Sequence, residues 1–329
     1  MKSILVVGGA GYIGSHVVLS LLNAGHNVAV LDNLSTGRQV NLFKEALFIH
    51  GDIQDRMLLR KVFSTNYDAV VHLAALKAAG ESMEIPERYA HQNITGTLNL
   101  LEAISNSTTR TIIFSSSAAV YGMPEFLPIG EEHPLRPMNF YGFTKLEIER
   151  FLNWYDHLKE IKFASLRYFN AAGYDIEGKV SGLEFYPANL LPVVMETVCG
   201  MRDRLQVFGN DYLTQDGTGV RDYIHVTDLA SAHLKAFEIL SVNRQSLTVN
   251  LGTGRGHSVM DIIKMTEHVT GKKVLFEVVS RREGDPPKLY AKSDLANRLL
   301  GWSPGFSDLE TLVHSTWQAY RNSMGSPSD

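Results

Sequence analysis

One cysteine, Cys199, stands in a chain of 329 residues. An internal disulfide framework is therefore excluded, and a reducing compartment suits the chain. Cys199 itself reads as a small buried apolar residue rather than a nucleophile. No stretch of about 18 uncharged apolar residues occurs, so no segment is expected to span a bilayer as a helix. The apolar run after Met1-Lys2 is broken by Gly8, Gly9, Gly11, Gly14, Ser15 and His16 and has no small-residue cleavage pattern, which argues against a secretory signal. Neither charge dominates: 31 basic against 35 acidic side chains give a net −4, so no basic face for nucleic acid or an anionic membrane is expected. The twelve histidines show no His-x-x-x-His spacing and no compact His/Cys cluster, so no metal site is expected. Repeats and low-complexity tracts are also missing. A cytoplasmic protein is expected.

At 44% hydrophobic and 20% charged residues, the composition is that of a globular chain long enough for one large domain or two unequal ones. Short apolar runs alternate with helical spacing through the first half. Strands are expected at 3–7, 27–31, 47–50, 69–73, 111–114 and 162–167, and helices at 12–24, 55–63, 86–105 and 140–159. Buried runs alternating with helices specify a parallel sheet covered on both faces. Past Asn170 the texture changes. Residues 171–187 are loop-like, 188–198 helical, and 209–219 rich in Gly, Asp and Thr. Strands at 222–226 and 247–251 flank a helix that Thr227 caps. Ser258 with Asp261, and Ser307 with Glu310, mark two further helix starts, the second with the better capping box. Residues 322–329 read as a frayed tail. The expected fold is α/β. A Rossmann-type doubly wound parallel sheet spans 1–170, the chain returns to it at about 222–250, and a smaller C-terminal α/β substrate domain lies mainly within 171–329.

Val6-Val7-Gly8-Gly9-Ala10-Gly11-Tyr12-Ile13-Gly14 reads as a strand, a glycine turn and the start of a helix. Such a turn seats a pyrophosphate on free amides at a helix N-terminus. Asp32, 18 residues beyond Gly14, stands where a carboxylate binds the adenosine ribose hydroxyls. It also disfavours a 2′-phosphate. Two like charges 4 Å apart repel by about 1 kcal/mol in water and about 4 kcal/mol at an effective dielectric near 20. NAD is therefore expected over NADP, although Arg38 could in principle accommodate a 2′-phosphate. Gly51-Asp52-Ile53 suits adenine, because Asp52 accepts from its amine.

Tyr141 and Lys145 lie at i and i+4, on one helix face. A phenol is too weak an acid to serve as a base at neutral pH, but a nearby ammonium and an oxidised nicotinamide both stabilise its phenolate. Phe114-Ser115-Ser116-Ser117 ends a strand in hydroxyls at the sheet's carboxyl edge, where open α/β sheets bind ligands. Ser117 can share the reacting hydroxyl's proton and complete a catalytic triad. Together these groups point to hydride chemistry on an alcohol.

With these residues assembled, the chain resembles the extended short-chain dehydrogenase/reductase family, from its first strand to near its C-terminus. Six segments carry the likeness: Leu73-Ala74-Ala75-Leu76-Lys77, Asn93-Ile94-Thr95-Gly96-Thr97, Arg167-Tyr168-Phe169-Asn170, Phe208-Gly209-Asn210-Asp211-Tyr212, the run Asp216 to Val226, and Arg281-Arg282-Glu283-Gly284-Asp285. The last three belong to a nucleotide-sugar site. The resemblance implies that Tyr12, Ile13, Asp32, Asn33, Asp52, Ile53, Leu73, Ala74, Ala75, Lys77, Asn93, Tyr141, Lys145 and Phe169 contact NAD. It implies that Ser117, Asn170, Asn189, Leu190, Phe208, Arg221, Arg282 and Asp285 hold a UDP-sugar. The implied activity is reversible interconversion of UDP-glucose and UDP-galactose by C4 oxidation to a 4-keto sugar, rotation and re-reduction with tightly bound NAD. The implied assembly is a homodimer through the helices near 86–105 and 140–159.

One departure bears on substrate range. Where the family often has a tyrosine or a smaller residue facing the sugar's 2-substituent, this chain has Leu289, followed by Tyr290. UDP-N-acetylglucosamine and UDP-glucuronate therefore stay open as alternative substrates. A 4,6-dehydratase would need titratable groups just after the strand-end hydroxyls, where this chain has Ala118 and Ala119. A non-catalytic NAD-binding sensor on the same fold would have no use for Tyr141 and Lys145.

Overall fold

The computed structural model describes residues 1–325 apart from 186 and 283. The chain begins with β1 (Ser3–Val7), α1 (Tyr12–Asn23) and β2 (Asn27–Asp32), then β3 (Leu47–His50), α2 (Arg56–Val62) and β4 (Ala69–His72). Two short helices follow, α3 (Ala79–Glu84) and α4 (Pro86–Tyr89), and then α5 (Gly96–Ser105), β5 (Thr111–Ser117), α6 (Phe140–Lys159) and β6 (Lys162–Tyr168). The C-terminal part contains β7 (Asn170–Ala172), α7 (Leu190–Val198), β8 (Leu205–Phe208), β9 (Val220–Arg221), β10 (Tyr223–His225), α8 (Val226–Asn243) and β11 (Leu247–Leu251). It closes with β12 (His257–Ser258), α9 (Val259–Thr270), β13 (Phe276–Val279), β14 (Lys288–Leu289), α10 (Asp294–Leu300) and α11 (Leu309–Gly325).

Seven strands form one all-parallel sheet in the order β11-β6-β5-β4-β1-β2-β3. Strand order reverses between β1 and β4, which opens a ligand crevice at the carboxyl edge. Alternate side chains feed two apolar layers. Val6, Ile113 and Leu166 pack with α1 and α8, whereas Leu5, Ile112 and Phe163 pack with α2, α5 and α6. A third core joins α7, α9 and α11 and takes in Tyr12 from the glycine turn. A small fourth cluster of Ala118, Val120, Tyr121, Ile129 and Leu146 meets Phe169 and Leu289.

Several expected elements take a different form. The strand at 222–226 does not enter the large sheet: β10 pairs with β7 instead. Only β11 returns there, beside β6. The helix expected over 86–105 is interrupted by a π-helical turn, Ala90–Thr95. That extra residue per turn directs Asn93 into the interior, where it is fully buried. His225, not Thr227, caps α8, its ring accepting from the Thr227 amide. Ser258 and Asp261 form a capping box, but Ser307 does not. Its hydroxyl bonds Asp228, and Asp308 accepts from the Thr311 amide at the start of α11. Of the expected tail, 322–325 form the last turn of α11 and 326–329 lie outside the described residues.

Candidate active site

The turn after β1 is shaped by two steric limits. Gly8 has φ +85°, and a Cβ there would lie 2.6 Å from the Ala74 amide nitrogen; a Cβ on Gly14 would run into the Gly8 carbonyl. Gly11 differs, because a Cβ would find its nearest neighbour, the Gly8 oxygen, at 3.4 Å. The protein therefore leaves space beside Gly11. Gly11 is also the N-cap of α1 and offers no side-chain cap, so the first-turn amides of Tyr12, Ile13 and Gly14 face an open cradle. The Tyr12 ring is buried, its hydroxyl donating to the Gly173 carbonyl, and Ile13 packs against two apolar clusters. What both residues offer the cradle is backbone N–H.

Asp32 ends β2 and is buried, accepting from the Ala10 amide at 2.9 Å and the Leu34 amide at 2.8 Å. A carboxylate has about four lone-pair sites, so acceptor capacity remains for ribose hydroxyls. Asn33 donates to Asp52 at 2.7 Å, and Ile53 is buried behind them. Arg38 is drawn elsewhere: it donates to the Leu183 carbonyl at 3.0 Å and stacks 3.9 Å from the Phe185 ring centre. Leu73 and Ala74 both donate to the Val7 carbonyl, which fixes the loop after β4, and Ala75 follows them. Lys77 on that loop pairs with Glu184. The Asn93 amide holds the same loop through the Leu76 backbone, at 2.8 and 3.0 Å, and reaches Thr144 at 3.1 Å. An uncapped helix start, room beside Gly11 and a ribose-facing carboxylate fit an adenine dinucleotide without a 2′-phosphate.

Tyr141, Ser117 and Lys145 converge at the same edge. Ser117 accepts from the Ala119 amide at 3.1 Å, opening a short turn. Gly142 lets α6 press on that turn, since a Cβ would sit 2.5 Å from the Ala119 carbonyl. Asn139 caps α6, and the Tyr141 amide donates to Ser82 at 3.0 Å. Burial raises the Tyr141 phenol above its ordinary value, while a hydrogen bond with Ser117 pulls it back down. Lys145 is 2% exposed and donates to the Ser115 carbonyl at 2.7 Å, with its nitrogen 5.8 Å from the centre of the Tyr141 ring. Burial lowers the ammonium to about 7, against the opposing pull of Glu149. Without ligand, the protein therefore favours the neutral forms of both groups.

The C-terminal part closes over this edge. Phe169 packs with the cluster around Tyr121, and Asn170 donates to the Asp222 carbonyl at 3.0 Å. Asn189 caps the start of α7 without using its side chain, and Leu190 packs on the third core. Arg221 pairs with Asp285, and the Arg282 guanidinium lies 3.8 Å from the Phe208 ring centre. Leu289 is the register partner of Arg221 and packs against the cluster that includes Ala118, one residue past Ser117. Among the described residues no group of three His, Cys, Asp or Glu side chains is arranged to hold a metal, and no helix is long and apolar enough to cross a membrane. Cys199 is partly exposed, and burial raises its thiol.

The sequence assigns no role to two features near these residues, although Tyr212 and Arg167 stand in segments that carry the resemblance. Tyr212 lies beneath the Arg281 guanidinium and has a buried hydroxyl with no hydrogen-bond partner among the described residues. Glu149 and Arg167 form an ion pair behind Lys145, each about 5% exposed. An arginine inside an apolar strand must find a buried partner, and that is the one signal that could have exposed the pair.

Residues 4–252 match the model of the NAD dependent epimerase/dehydratase family. A UDP-glucose 4-epimerase of Halalkalibacterium halodurans is 44% identical over 97% of this chain and 96% of its own. A UDP-glucose 4-epimerase of Brucella ovis, solved in complex with NAD, superposes with a TM-score of 0.94 at 43% identity, covering 97% of this chain and 98% of its own. The enzyme of Bifidobacterium longum, solved with NAD+ and UDP, gives 0.92 at 37% identity, covering 98% of each. With a family model spanning most of its length and near full-length relatives above 40% identity, the chain belongs to the NAD dependent epimerase/dehydratase family.

Proposed function

We propose that this chain interconverts UDP-glucose and UDP-galactose by inverting C4 of the hexose. The observation that carries this reading is the meeting of Tyr141, Ser117 and Lys145 at a dinucleotide cradle, under a wall bearing Arg221, Asp285 and Leu289. NAD, held by the glycine turn and Asp32, supplies when bound a reversible acceptor for the C4 hydrogen and a positive charge that favours phenolate. Tyr141 accepts the 4-hydroxyl proton and later returns it, with Ser117 sharing that proton. Lys145 as ammonium stabilises the phenolate and steadies the cofactor's ribose. Arg221 and Arg282 suit the diphosphate, and Asp285 suits uridine hydroxyls. Binding energy spent on the nucleotide retains the sugar while leaving the hexose ring free to turn.

Incubation of purified protein with UDP-galactose tests the proposal, with UDP-glucose expected at equilibrium. A Tyr141→Phe variant should lose about 10²–10⁴-fold in kcat, the usual worth of a positioned acid–base group, with KM little changed. Unaltered UDP-galactose would instead favour a sensor. The protein is also proposed to pair as a homodimer through α5 and α6. Phe143, Trp154 and Leu158 on α6 are 40%, 62% and 63% exposed, and their spacing puts them on one helix face.

A further inference from the structure

Behind Lys145 lies a buried charged pair, Glu149 and Arg167. Arg167 grips Glu149 with two parallel hydrogen bonds, Nε at 2.9 Å and a terminal nitrogen at 2.6 Å, and Ser116 donates to the same carboxylate at 2.5 Å. The two side chains are only 6% and 5% exposed. Burying such a pair is commonly neutral or worse for stability than an apolar replacement. Its location is specific, however. Glu149 follows Lys145 by one helical turn, so both side chains share a face of α6. The third guanidinium nitrogen donates to Tyr121 at 2.9 Å, whose hydroxyl donates to Asn250 at 2.6 Å. Every polar atom of the Glu149 carboxylate is therefore fixed in place.

We infer that Glu149 and Arg167 are positioning residues for the proposed reaction, a fixed pair of opposite charges that holds Lys145 in its ammonium form beside Tyr141. The inference rests on the epimerase reading and goes further by assigning the electrostatic control of its acid–base pair. Glu149 acts on Lys145 through its negative charge, and that attraction opposes the burial that would strip the ammonium of its proton. Arg167 limits that attraction, so that Lys145 does not abandon Ser115 and Tyr141 for a direct ion pair with Glu149.

Other groups around Lys145 add no competing charge. From β4, His72 is held neutral, pushed down to about 3 by burial and by Lys145 itself. From β5, the contacts are the Ser115 carbonyl and the Phe114 ring, 4.8 Å away. Tyr168, facing Tyr141 from β6, is raised by burial and stays a neutral phenol. Beyond Arg167, Tyr121 is pushed up to about 12, and the Glu131 carboxyl is raised by burial.

The test is the pH dependence of kcat/KM for UDP-galactose on the NAD-loaded protein. A second readout is the ultraviolet phenolate titration of each protein minus that of its Tyr141→Phe counterpart. Glu149→Gln leaves Arg167 unbalanced near Lys145. It should move both limbs of the profile, and the Tyr141 titration, toward acid by about one pH unit. Arg167→Met leaves Glu149 unbalanced and should move them toward alkali by a similar amount. The double variant should return close to the parent. A purely structural brace would lower kcat without moving the limbs. Unmoved limbs, or two singles shifting in one direction, overturn the inference. Should Glu149→Gln fail to fold, Arg167→Met against the charge-retaining Arg167→Lys carries the test, with only methionine shifting the titration. Parent protein inert toward UDP-galactose would remove the functional reading alone, because the phenolate titration still measures the pair.

Discussion

Lys145, proposed as part of the acid–base group, also bears on stability through its burial. Its ordinary value of 10.5 falls to about 7 on folding, chiefly through burial. Between those values the unfolded chain binds the extra proton, so stability rises with pH in that window and is lost as pH falls through 7. The slope is up to about 1.4 kcal/mol per pH unit for one group. Lys145→Met removes the titration. In the NAD-free protein, between pH 7 and 9, the melting temperature of the parent should gain on that of the variant. Parallel melting curves across that range would show that Lys145 does not titrate there. Lys145 and Tyr141 were legible in the sequence because i,i+4 spacing is local. Glu149 and Arg167, on a helix and a strand, meet only once α6 lies on the sheet. No spacing rule joins residues 18 apart across that junction.

At the scale of elements, legibility followed apolar runs closed by turn signals rather than burial, since β3 is read although none of its four residues is fully buried. The expected strand ranges 3–7, 47–50 and 69–73 lie on or within a residue of β1, β3 and β4, because apolar runs between turn signals leave few alternatives. β8 and β13 pair only with each other and expose alternate residues. Alternation over only four residues is too short for its period to stand out in a sequence. The π turn was equally hidden, since apolar spacing continues through it. The glycine turn separates two roles that sequence alone cannot. Gly14→Ala drives a Cβ into the Gly8 carbonyl and should cost about 1–3 kcal/mol, as overpacking does. Gly11→Ala has space at 3.4 Å and should melt with the parent while retaining much less NAD through purification. Melting temperature and cofactor content of the two variants decide this; a cold-melting Gly11→Ala would contradict it. On α6, Trp154→Glu should convert a dimer to monomer in analytical ultracentrifugation, and an unchanged mass would remove that face from the interface.

At the scale of the whole molecule, the two parts proposed to enclose the sugar are fastened together. Ile129, in the loop beyond Ser117, accepts from the Lys292 amide at 2.7 Å and donates to the Tyr290 carbonyl at 3.0 Å. Asp222 holds the same strand through the Ala291 amide at 3.1 Å, while its other bonds secure Thr253 and Gly254. Leu289 is thus anchored against the cluster that holds Ala118 and Ile129, and on the proposed reading it forms a fixed wall toward the sugar. Size selection should then reside in the Leu289 side chain. Leu289→Ala should raise kcat/KM for UDP-N-acetylgalactosamine relative to UDP-galactose by roughly 10-fold or more, the scale set by a few methylene groups in a pocket. Arg221→Met, which removes a group proposed for the shared diphosphate, should weaken both sugars equally and leave that ratio alone. Parallel assays of the two sugars on both variants make the distinction. If Leu289→Ala changed both sugars by one factor, the wall would be positioning the nucleotide rather than measuring the hexose.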